Sequence, residues 1–532
     1  MTKLFRRFIA SVLLIVLILP AGCQSANKSK SEPGVPVTED LIITIDTRKQ
    51  YQTMSNFGAS DCWSAQFIGK NWPESKRNAM ADLLFSTEND AAGKPKGIGL
   101  SLWRFNIGAG SAEQGDNSNI NSPWRRSECF LNGNGTYDWT KQAGQRWFLR
   151  AAKQRGVENF LGFTNSPPVS MTSNGLSNYK DVKTSSYNLK KDGYSGYADF
   201  LVNVVKGIKE TDGVELNYLS PFNEPEWDWS GNSQEGSPAT NSEIAGTVRL
   251  LDKNLTDNNL ATQIVVCESG KYDYLYGKSD KPGCEDHLND FFTSASPDYI
   301  GGLHHVPALI TGHGYFTTTP ATKLLETRTL LGNALKAKNT GFWQTEFCML
   351  ENDNLVGGGP GKDLTMQFAL YVARVIHFDI TSANASAWQW WLAITTSDYK
   401  DGLIYADENP NDGSFTDSKL LWSLGNFSRF VRPGSIRIDV NSNGTGLDNP
   451  NGLMVSSYLD NLRKELVIVA VNYSSDMKPF NLKVEGVNVP FFIRYVTSDT
   501  KGDDLKPLSQ VSSAEKQSLP ARTIITYVGK IK

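Results

Sequence analysis

Two glutamates occupy positions that folding alone does not require. Glu224 ends the stretch SPFNE at 220–224, and Glu346 ends the stretch WQTE at 343–346. Both have Phe, Trp or Pro neighbours, so burying either charge is costly unless the carboxylate is paired or used in chemistry. A pair of carboxyl groups suits the hydrolysis of glycosidic bonds, in which one protonates the leaving oxygen and the other attacks the sugar or activates water. The alternative, that each glutamate caps the next helix, has to hold for both residues at once.

Eight short apolar runs, separated by longer segments of helical period such as 140–155 and 195–209, predict a (β/α)8 TIM barrel over residues 51–424. The C-terminal ends of barrel strands share one mouth, where the chemistry takes place. Glu224 ends the fourth run and Glu346 the seventh, so both are expected at this mouth. A doubly wound open sheet would show the same alternation, but no glycine-rich nucleotide-binding motif follows a run. The runs are 56–59, 100–107, 159–163, 216–222, 264–268, 309–312, 341–345 and 386–391.

Beyond residue 424 the pattern changes to the alternation of half-buried antiparallel strands. Six such runs, with turn residues between them, predict a C-terminal β-sandwich over 425–532. The segment 41–50, which precedes the barrel, contains the same alternation and is expected to add a strand to this sandwich. The six runs are 435–440, 453–458, 465–472, 480–484, 491–497 and 523–528.

The first 40 residues are expected to be a targeting segment and a tether rather than part of the fold. Lys3, Arg6 and Arg7 precede an apolar run at 8–19, which is short for a bilayer span but long enough for a secretory signal. The run ends in PAGC and resembles a bacterial lipoprotein signal, whose cleavage would remove 1–22 and leave Cys23 to be lipidated. Residues 23–40 are polar and predict a flexible tether. The body is therefore expected to be exported and held at the cell envelope, on the outer membrane or cell surface, touching the membrane only through its lipid anchor.

The composition excludes several classes of partner and cofactor. The chain has 53 Lys and Arg against 56 Asp and Glu, which argues against a nucleic-acid binder with a basic surface. Aromatic residues make up 11%, which fits either a sugar-binding surface or a large aromatic core. The body has an odd number of cysteines, no CxxC motif and no Cys/His cluster, so no metal site is expected. No organic cofactor is expected either, because side chains can supply the acid, the base and the nucleophile. Buried or paired structural roles are expected for Cys62, Cys129, Cys267, Cys284 and Cys348.

An ordered set of motifs resembles glycoside hydrolase family 30, a family of clan A. The set consists of NFGASD at 56–61, WRFNIGAG at 103–110, NSPP at 165–168, SPFNEP at 220–225, HGY at 313–315 and QTE at 344–346. The resemblance implies a barrel fused to a side β-sandwich built from both chain ends, and a polysaccharide or oligosaccharide as substrate. The stretches GFTNSPPVSMT at 162–172 and QEG at 234–236 look most like the endo-β-1,6-galactanase branch. Xylanases, β-1,6-glucanases and exo-acting glycosidases are the alternatives within the family.

The same resemblance implies roles for individual residues. Glu224 would be the general acid/base and Glu346 the nucleophile of a retaining double displacement. Asn223 would bind the sugar 2-hydroxyl, Arg104 could orient Glu346, and Tyr315 should donate a hydrogen bond to it.

Further substrate contacts are expected from other ends of the strands. His313 is expected beside the sugar, with a satisfied core histidine as the alternative. Asp61 and Trp63 are plausible hydroxyl and ring contacts. Trp388 and Trp390 lie on one face of the eighth run by alternation, where they could form the floor under the reactive sugar. A core position suits Trp391 better. The loop after Glu224 is expected to shape subsites through Trp227, Trp229, Gln234 and Glu235.

Rival classes make different demands of the sequence. A non-catalytic glycan-binding surface lipoprotein would use the aromatic residues but would not need both Glu224 and Glu346. A structural or adhesive protein would need a binding motif in the sandwich, and the sequence of 425–532 offers none. The sequence thus favours an exported retaining glycoside hydrolase, with β-1,6-galactan side chains of arabinogalactan as the leading substrate.

Overall fold

The computed structural model describes residues 40–179, 186–279, 281–444 and 446–532. The predicted signal at 1–22, the lipidation site Cys23 and nearly all of the tether lie outside the described residues. Within the described ranges, no helix is long and apolar enough to cross a membrane.

A nearly closed parallel barrel forms the larger part of the chain. Strand β1 (Ile42–Thr53) belongs to a second sheet, and the barrel follows it in the order β6-β5-β4-β3-β2-β10-β9-β8-β7. The predicted fifth run is interrupted at Val265, so β6 pairs with β5 and β7 pairs with β8. These two short strands together fill one of eight positions, and the predicted TIM barrel is confirmed. The barrel strands are β2 (Asn56–Ser60), β3 (Leu102–Asn106), β4 (Asn159–Phe163), β5 (Tyr218–Ser220), β6 (Gln263–Ile264), β7 (Val266–Ser269), β8 (Leu309–His313), β9 (Gly341–Glu346) and β10 (Ala387–Thr395). Two further strands, β11 (Gly402–Ala406) and β12 (Phe415–Asp417), extend the sheet from β10.

Helices cover the outside of the barrel and begin and end at residues with clear local causes. One long helix starts with a capping box, in which Thr240 and Glu243 each accept a hydrogen bond from the other's backbone N–H. Another stops at Gly213, whose φ of 65° suits glycine. The helices are α1 (Ser64–Asn71), α2 (Glu74–Phe85), α3 (Ser111–Gln114), α4 (Ala143–Gln154), α5 (Tyr194–Asp212), α6 (Asn241–Asp257), α7 (Tyr272–Tyr276), α8 (His287–Phe292), α9 (Ala321–Lys338), α10 (Met366–Thr381) and α11 (Lys419–Ser428), with 3-10 turns at Gly115–Ser118 and Pro123–Arg125.

The remaining strands form a nine-stranded second sheet together with β1. Its order is β18-β17-β20-β15-β14-β13-β1-β16-β19, and β1 pairs antiparallel with β13 and parallel with β16. The expected contribution of the N-terminal strand to the sandwich is therefore confirmed. The strands are β13 (Ile436–Ser442), β14 (Leu453–Asp460), β15 (Glu465–Asn472), β16 (Lys478–Glu485), β17 (Phe491–Thr497), β18 (Lys506–Ser512), β19 (Gln517–Leu519) and β20 (Thr523–Lys530).

The central strands of the sandwich are buried on both faces. Val455 and Ile468 belong to the core of the sandwich itself, whereas Met454, Val467 and Val469 belong to the same core as the barrel. Helices α10 and α11 lie between, in contact with β14, β15, β17 and β20. Residues 41–532 form one compact unit, and the predicted domain boundary at 424/425 falls inside α11 and stays a prediction.

The cysteines of the body are all buried as free thiols. The sequence left open whether these cysteines are buried singly or paired in disulfides, and the structure shows them buried and unpaired. The five are Cys62, Cys129, Cys267, Cys284 and Cys348.

Candidate active site

The two predicted glutamates meet at the mouth of the barrel. Glu346 is the last residue of β9, and Glu224 follows β5 by four residues. One carboxylate oxygen of each, together with a ring nitrogen of His313, all lie within 4.8 Å of one another. Glu224 is 8% exposed and Glu346 4%, so both are almost enclosed. They form part of the wall of an open cleft.

Each oxygen of Glu346 has its own donor. Arg104, in the middle of β3, donates from Nη1 to Oε2 at 2.6 Å, and the Tyr315 hydroxyl donates to Oε1 at 2.7 Å. The Arg104 side chain is wholly buried, with its guanidinium 3.6 Å from the centre of the Phe163 ring. One donor from β3 and one from the segment after β8 fix the plane of the carboxylate.

Arg104 also orients the amide that precedes Glu224. Its Nη2 donates to Oδ1 of Asn223 at 3.0 Å. Because the amide oxygen is engaged in this way, the Nδ2 group is the part of Asn223 that can donate to a ligand.

A third carboxylate, Glu268, completes the charge network and was not among the predicted site residues. It lies in β7 and accepts hydrogen bonds on Oε2 from Arg104 at 3.1 Å, His313 at 3.0 Å and Thr345 at 2.7 Å. Burial alone would raise the pKa of Glu268, but the charge of Arg104 and the contact with His313 lower it to about 2. The sequence contains its signal, a glutamate that closes the fifth apolar run, but nothing local distinguishes this glutamate from a helix cap.

His313 bridges two carboxylates instead of facing the cleft. Its Nδ1 lies 2.9 Å from Oε1 of Glu224, and its Nε2 lies 3.0 Å from Oε2 of Glu268. Burial by itself would lower the pKa of His313, but Glu346, Glu224 and Glu268 raise it to about 10, so both ring nitrogens carry protons near neutral pH. The ring is wholly buried with both nitrogens occupied. Its predicted role as a sugar contact is therefore corrected to a link between carboxylates.

The backbone at Glu224 has an unusual conformation. Glu224 has a φ of 44° and Glu268 a φ of 56°, both in the left-handed region that non-glycine residues rarely adopt. The N–H of Glu224 donates to the carbonyl of Glu268 at 2.8 Å, and the Trp229 indole donates to the carbonyl of Glu224 at 3.0 Å. Such strain persists where surrounding contacts over-determine it, as they do here. Burial raises the pKa of the Glu224 carboxyl, and the hydrogen bond from His313 opposes the rise.

Aromatic rings line the cleft around the two glutamates. Trp391 forms part of the wall, and Trp227 stacks on Phe316 with ring centres 5.9 Å apart. Trp227 is 38% exposed, an unusual fraction for so large a ring. Tyr399 lies on another part of the wall and Arg125 adds a positive charge. Flat apolar faces beside charged groups match the two-sided chemistry of a pyranose ring.

A family model for O-glycosyl hydrolase family 30 matches residues 40–405. The chain belongs to glycoside hydrolase family 30. It is therefore an O-glycosyl hydrolase, as the sequence motifs predicted. It is 24% identical to an endo-β-1,6-galactanase of Hypocrea rufa over 82% of both chains, and 27% identical to the glucuronoxylanase XynC of Bacillus subtilis (strain 168) over 65% of this chain and 68% of that one.

A solved structure described as a conserved exported protein from Bacteroides fragilis superimposes with a TM-score of 0.86. That protein is 36% identical, and the match covers 92% of this chain and all of the other.

Two tryptophans predicted as the floor of this family 30 site lie elsewhere. Trp388 donates to Asp379 of α10 at 2.8 Å, Trp390 donates to the carbonyl of Asp401 at 2.6 Å, and both rings are wholly buried. Alternation correctly places Trp388 and Trp390 on one face of β10. Because both faces of a barrel strand are buried, alternation cannot tell which face points towards the cleft. The residue of β10 that lines the cleft is Trp391, for which the sequence predicts a core position.

Asp61 and Trp63 lie behind the cleft wall of the family 30 site. Asp61 accepts from the backbone of Asn106 at 2.8 Å, and burial raises its pKa to about 7. Trp63 packs edge-on against Trp391 at 5.4 Å and is covered by the Arg125 guanidinium at 5.0 Å. These two residues support the residues that face the cleft.

The loop after Glu224 is fastened to the rest of the mouth by a buried carboxyl. Glu235 accepts from the backbone of Ala109 at 3.0 Å and from the Ser111 hydroxyl at 2.6 Å. Its predicted part in subsites is thus indirect, whereas Trp227, Trp229 and Gln234 line the cleft.

Two clusters of described residues bring three metal-ligating atoms within 4.8 Å of one another. One is the active-site set of Glu224, His313 and Glu346, and the other is Glu226, Cys267 and His287. In the second, Glu226 accepts from His287 at 2.6 Å, the Ser269 hydroxyl at 2.5 Å and the Gly270 amide at 3.1 Å. These contacts tie the turn after β7 to the loop that carries Glu224.

Proposed function

We propose that this family 30 enzyme is a retaining endo-β-1,6-galactanase that cleaves β-1,6-galactan side chains such as those of arabinogalactan. The observation that carries the mechanism is the approach of the Glu224 and Glu346 oxygens to within 4.8 Å. Retaining enzymes hold these carboxyl groups about 5 Å apart, whereas inverting enzymes separate them by about 6.5–9.5 Å to admit a water. The gap here suits direct attack of a carboxylate on the sugar.

In the first half-reaction, Glu346 attacks the anomeric carbon while Glu224 gives its proton to the glycosidic oxygen. The bond between the anomeric carbon and the glycosidic oxygen breaks, and the leaving sugar departs as an alcohol. The donors Arg104 and Tyr315 hold Glu346 in one orientation for the attack. Burial raises the pKa of Glu224, which favours the protonated form that this step needs.

In the second half-reaction, the ionised Glu224 removes a proton from a water molecule that attacks the anomeric carbon. Glu346 is released, and two inversions give overall retention. His313 donates to Oε1 of Glu224, so Oε2 is the oxygen that carries the transferred proton. Asn223, with its amide oxygen held by Arg104, presents its Nδ2 group to the 2-hydroxyl, a contact that strengthens as charge develops on the ring. All acids, bases and nucleophiles are side chains, so the mechanism needs no cofactor.

The choice of β-1,6-galactan rests on the 24% identity with the galactanase of Hypocrea rufa, which extends over 82% of both chains. The similarity to a glucuronoxylanase makes xylan the second candidate, and it extends over a smaller part of this chain, 65%.

Product analysis decides between these substrates. The body from about residue 39 onward is incubated in parallel with β-1,6-galactan, β-1,6-glucan and xylan, and the products are separated by chromatography. A ladder of oligosaccharides from galactan alone supports the proposal, whereas a single small product means exo action. Oligosaccharides released from xylan or glucan instead would show that the enzyme has another activity of the family. No release from any substrate favours a glycan-binding protein.

We also propose that the protein is exported and anchored through Cys23. The support is the lipoprotein-like sequence at 1–23 and the similarity to an exported protein of Bacteroides fragilis. Full-length protein expressed in a bacterium and labelled with a radioactive fatty acid should incorporate the label, and the Cys23→Ser variant should not. Equal labelling of the two would exclude this anchor.

A further inference from the structure

Asp401 is a buried carboxyl on the wall of the cleft that the mechanism does not use. It borders the cleft together with Glu346 and Tyr399, and only 3% of its surface is exposed. Its Oδ1 accepts no hydrogen bond from any described residue. Buried carboxyl oxygens almost always have partners, so one without a partner at the edge of a binding cleft indicates that a ligand supplies it.

The backbone around Asp401 is rigidly held. Its carbonyl accepts from the Trp390 indole at 2.6 Å and from the amide of Leu392 at 3.2 Å. The next residue, Gly402, has no room for a side chain, because a Cβ there would lie 2.3 Å from Cγ2 of Thr395. The main chain that carries the Asp401 carboxyl is thus held in place, which favours specific recognition.

Asp401 lies on the same wall as the nucleophile. Cys348 lines the same cleft as Asp401, Glu346 and Tyr315. Its Sγ lies 3.9 Å from the Tyr315 hydroxyl, which itself binds Glu346. Asp401 therefore borders the space that a sugar enters when it approaches Glu346.

The surroundings of Asp401 favour a neutral hydroxyl over a charged ligand group. Burial raises its pKa to about 7, against a hydrogen bond from Thr395 and the charge of Arg125. Arg125 lies over the Trp63 ring, with its guanidinium 5.0 Å from the ring centre, and lines the same cleft. The Asp401 carboxyl can accept a hydrogen bond from a neutral hydroxyl, whereas an anionic ligand group would be repelled by it.

We propose, on the basis of the glycoside hydrolase function above, that Asp401 accepts a hydrogen bond from a ring hydroxyl of the sugar bound beside Glu346 and so determines which sugar the cleft accepts. The ligand class is a pyranose with a hydroxyl at that edge. A sugar that lacks the hydroxyl, or has it in the opposite configuration, leaves the carboxyl buried and unpaired. Such sites reject the wrong sugar because of this unpaired group.

The test compares substrates that differ by one hydroxyl. The shortest β-1,6-galactan oligosaccharide that the native enzyme cleaves is prepared with each hydroxyl of the sugar at the cleavage site replaced in turn by hydrogen. The native enzyme should lose about 10- to 100-fold in kcat/KM on one of these analogues, the range for a hydrogen bond to a charged group. Asp401→Ala should lose the same factor on the parent substrate and show no further loss on that analogue.

Two controls accompany this measurement. Glu408→Gln removes one negative charge at an exposed position a few residues away and should behave as the native enzyme. Asp401→Asn preserves the shape of the side chain, so it covers the case in which the alanine variant does not fold, and a loss of about 10-fold on the parent is expected.

The outcomes separate this inference from the function on which it rests. A native enzyme that hydrolyses none of the polysaccharides overturns the proposed function and, with it, the role of Asp401. A native enzyme that hydrolyses its substrate, while Asp401→Ala discriminates the analogue as strongly as before, overturns the role of Asp401 alone.

Discussion

The charged residues at the mouth alternate in sign. In the ion-pair network around the two catalytic glutamates, Arg104 and His313 are the cations. Arg104 contacts Glu268 and Glu346, and His313 contacts Glu268 and Glu224. When Glu224 is protonated, the two positive charges of this network equal the two negative charges of Glu268 and Glu346. When Glu224 ionises, the network carries one excess negative charge. This balance explains how an acid and a nucleophile with opposite requirements lie side by side.

Glu346→Gln should abolish turnover and leave binding largely intact. The amide keeps the shape that Arg104 and Tyr315 contact but cannot attack the sugar, so kcat should fall by about 10⁴-fold or more. Initial rates measure the loss, and calorimetric titration with product oligosaccharides measures binding. A near-normal rate would overturn the assignment of the nucleophile.

His313→Gln should move the basic limb of the pH profile to higher pH. The hydrogen bond from His313 lowers the pKa of Glu224, so its removal raises that pKa further. The acid acts in its protonated form, so kcat/KM stays high to a more alkaline pH before it falls. The exposed His304→Gln variant serves as control. A limb that moves to lower pH would contradict the assignment of Glu224 as the acid.

Glu268 should make stability depend on pH in the acid range. Its pKa is about 2 in the folded chain and its ordinary value is 4.5, so it stabilises the fold above pH 4.5 and this contribution is lost as the pH falls towards 2. Between pH 5 and pH 3 the loss is about 2 kcal/mol. Urea unfolding at both values should show this drop in the native enzyme, and a smaller one in Glu268→Gln. Equal drops would mean that Glu268 is not the group that titrates.

At the level of elements, periodicity predicted most of the barrel and left the loops open. The run at 159–163 coincides with β4, and the run at 465–472 with β15. Strand β18 is not predicted because KPLSQVS begins with Lys and Pro and has only one buried residue, so it shows little alternation. For Trp388 and Trp390, alternation grouped the residues but could not choose the face. Glu268 was missed because its three partners come from other strands.

The loop after β5 depends on a close contact between a glycine and a tryptophan. A Cβ on Gly236 would lie 2.1 Å from the Trp229 ring, which donates to the carbonyl of Glu224. Gly236→Ala should therefore displace Trp229 and lower kcat/KM by about 10-fold or more, because small misplacement of a catalytic group is costly. Gly231→Ala, in the same loop with open space around it, is the matched control. Equal activity of the two variants would show that the contact does not position Glu224.

On the scale of the whole molecule, the sandwich and the barrel share a core. Val469 of β15 is wholly buried in that shared core, whereas Ile493 of β17 is 47% exposed. The two sheets should therefore unfold together.

Val469→Ala should lower the free energy of unfolding by about 1–3 kcal/mol, and Ile493→Ala should change it little. Calorimetry should give one transition for the native body, shifted to lower temperature in the first variant. A second transition that is insensitive to Val469→Ala would show that the sheets unfold independently.

The position of β1 sets the order in which the fold can be completed. Ile42 at its start donates to the side chain of Asn443, 401 residues later in the chain. A ribosome therefore makes this strand first and supplies its partners only after the entire barrel. During synthesis, β1 remains an unpaired strand until β13 and β16 are made, and other chains could pair with its edge. Pairing of β1 joins segments about 400 residues apart, and contacts of such long sequence separation form slowly and are lost when the C-terminal strands are removed.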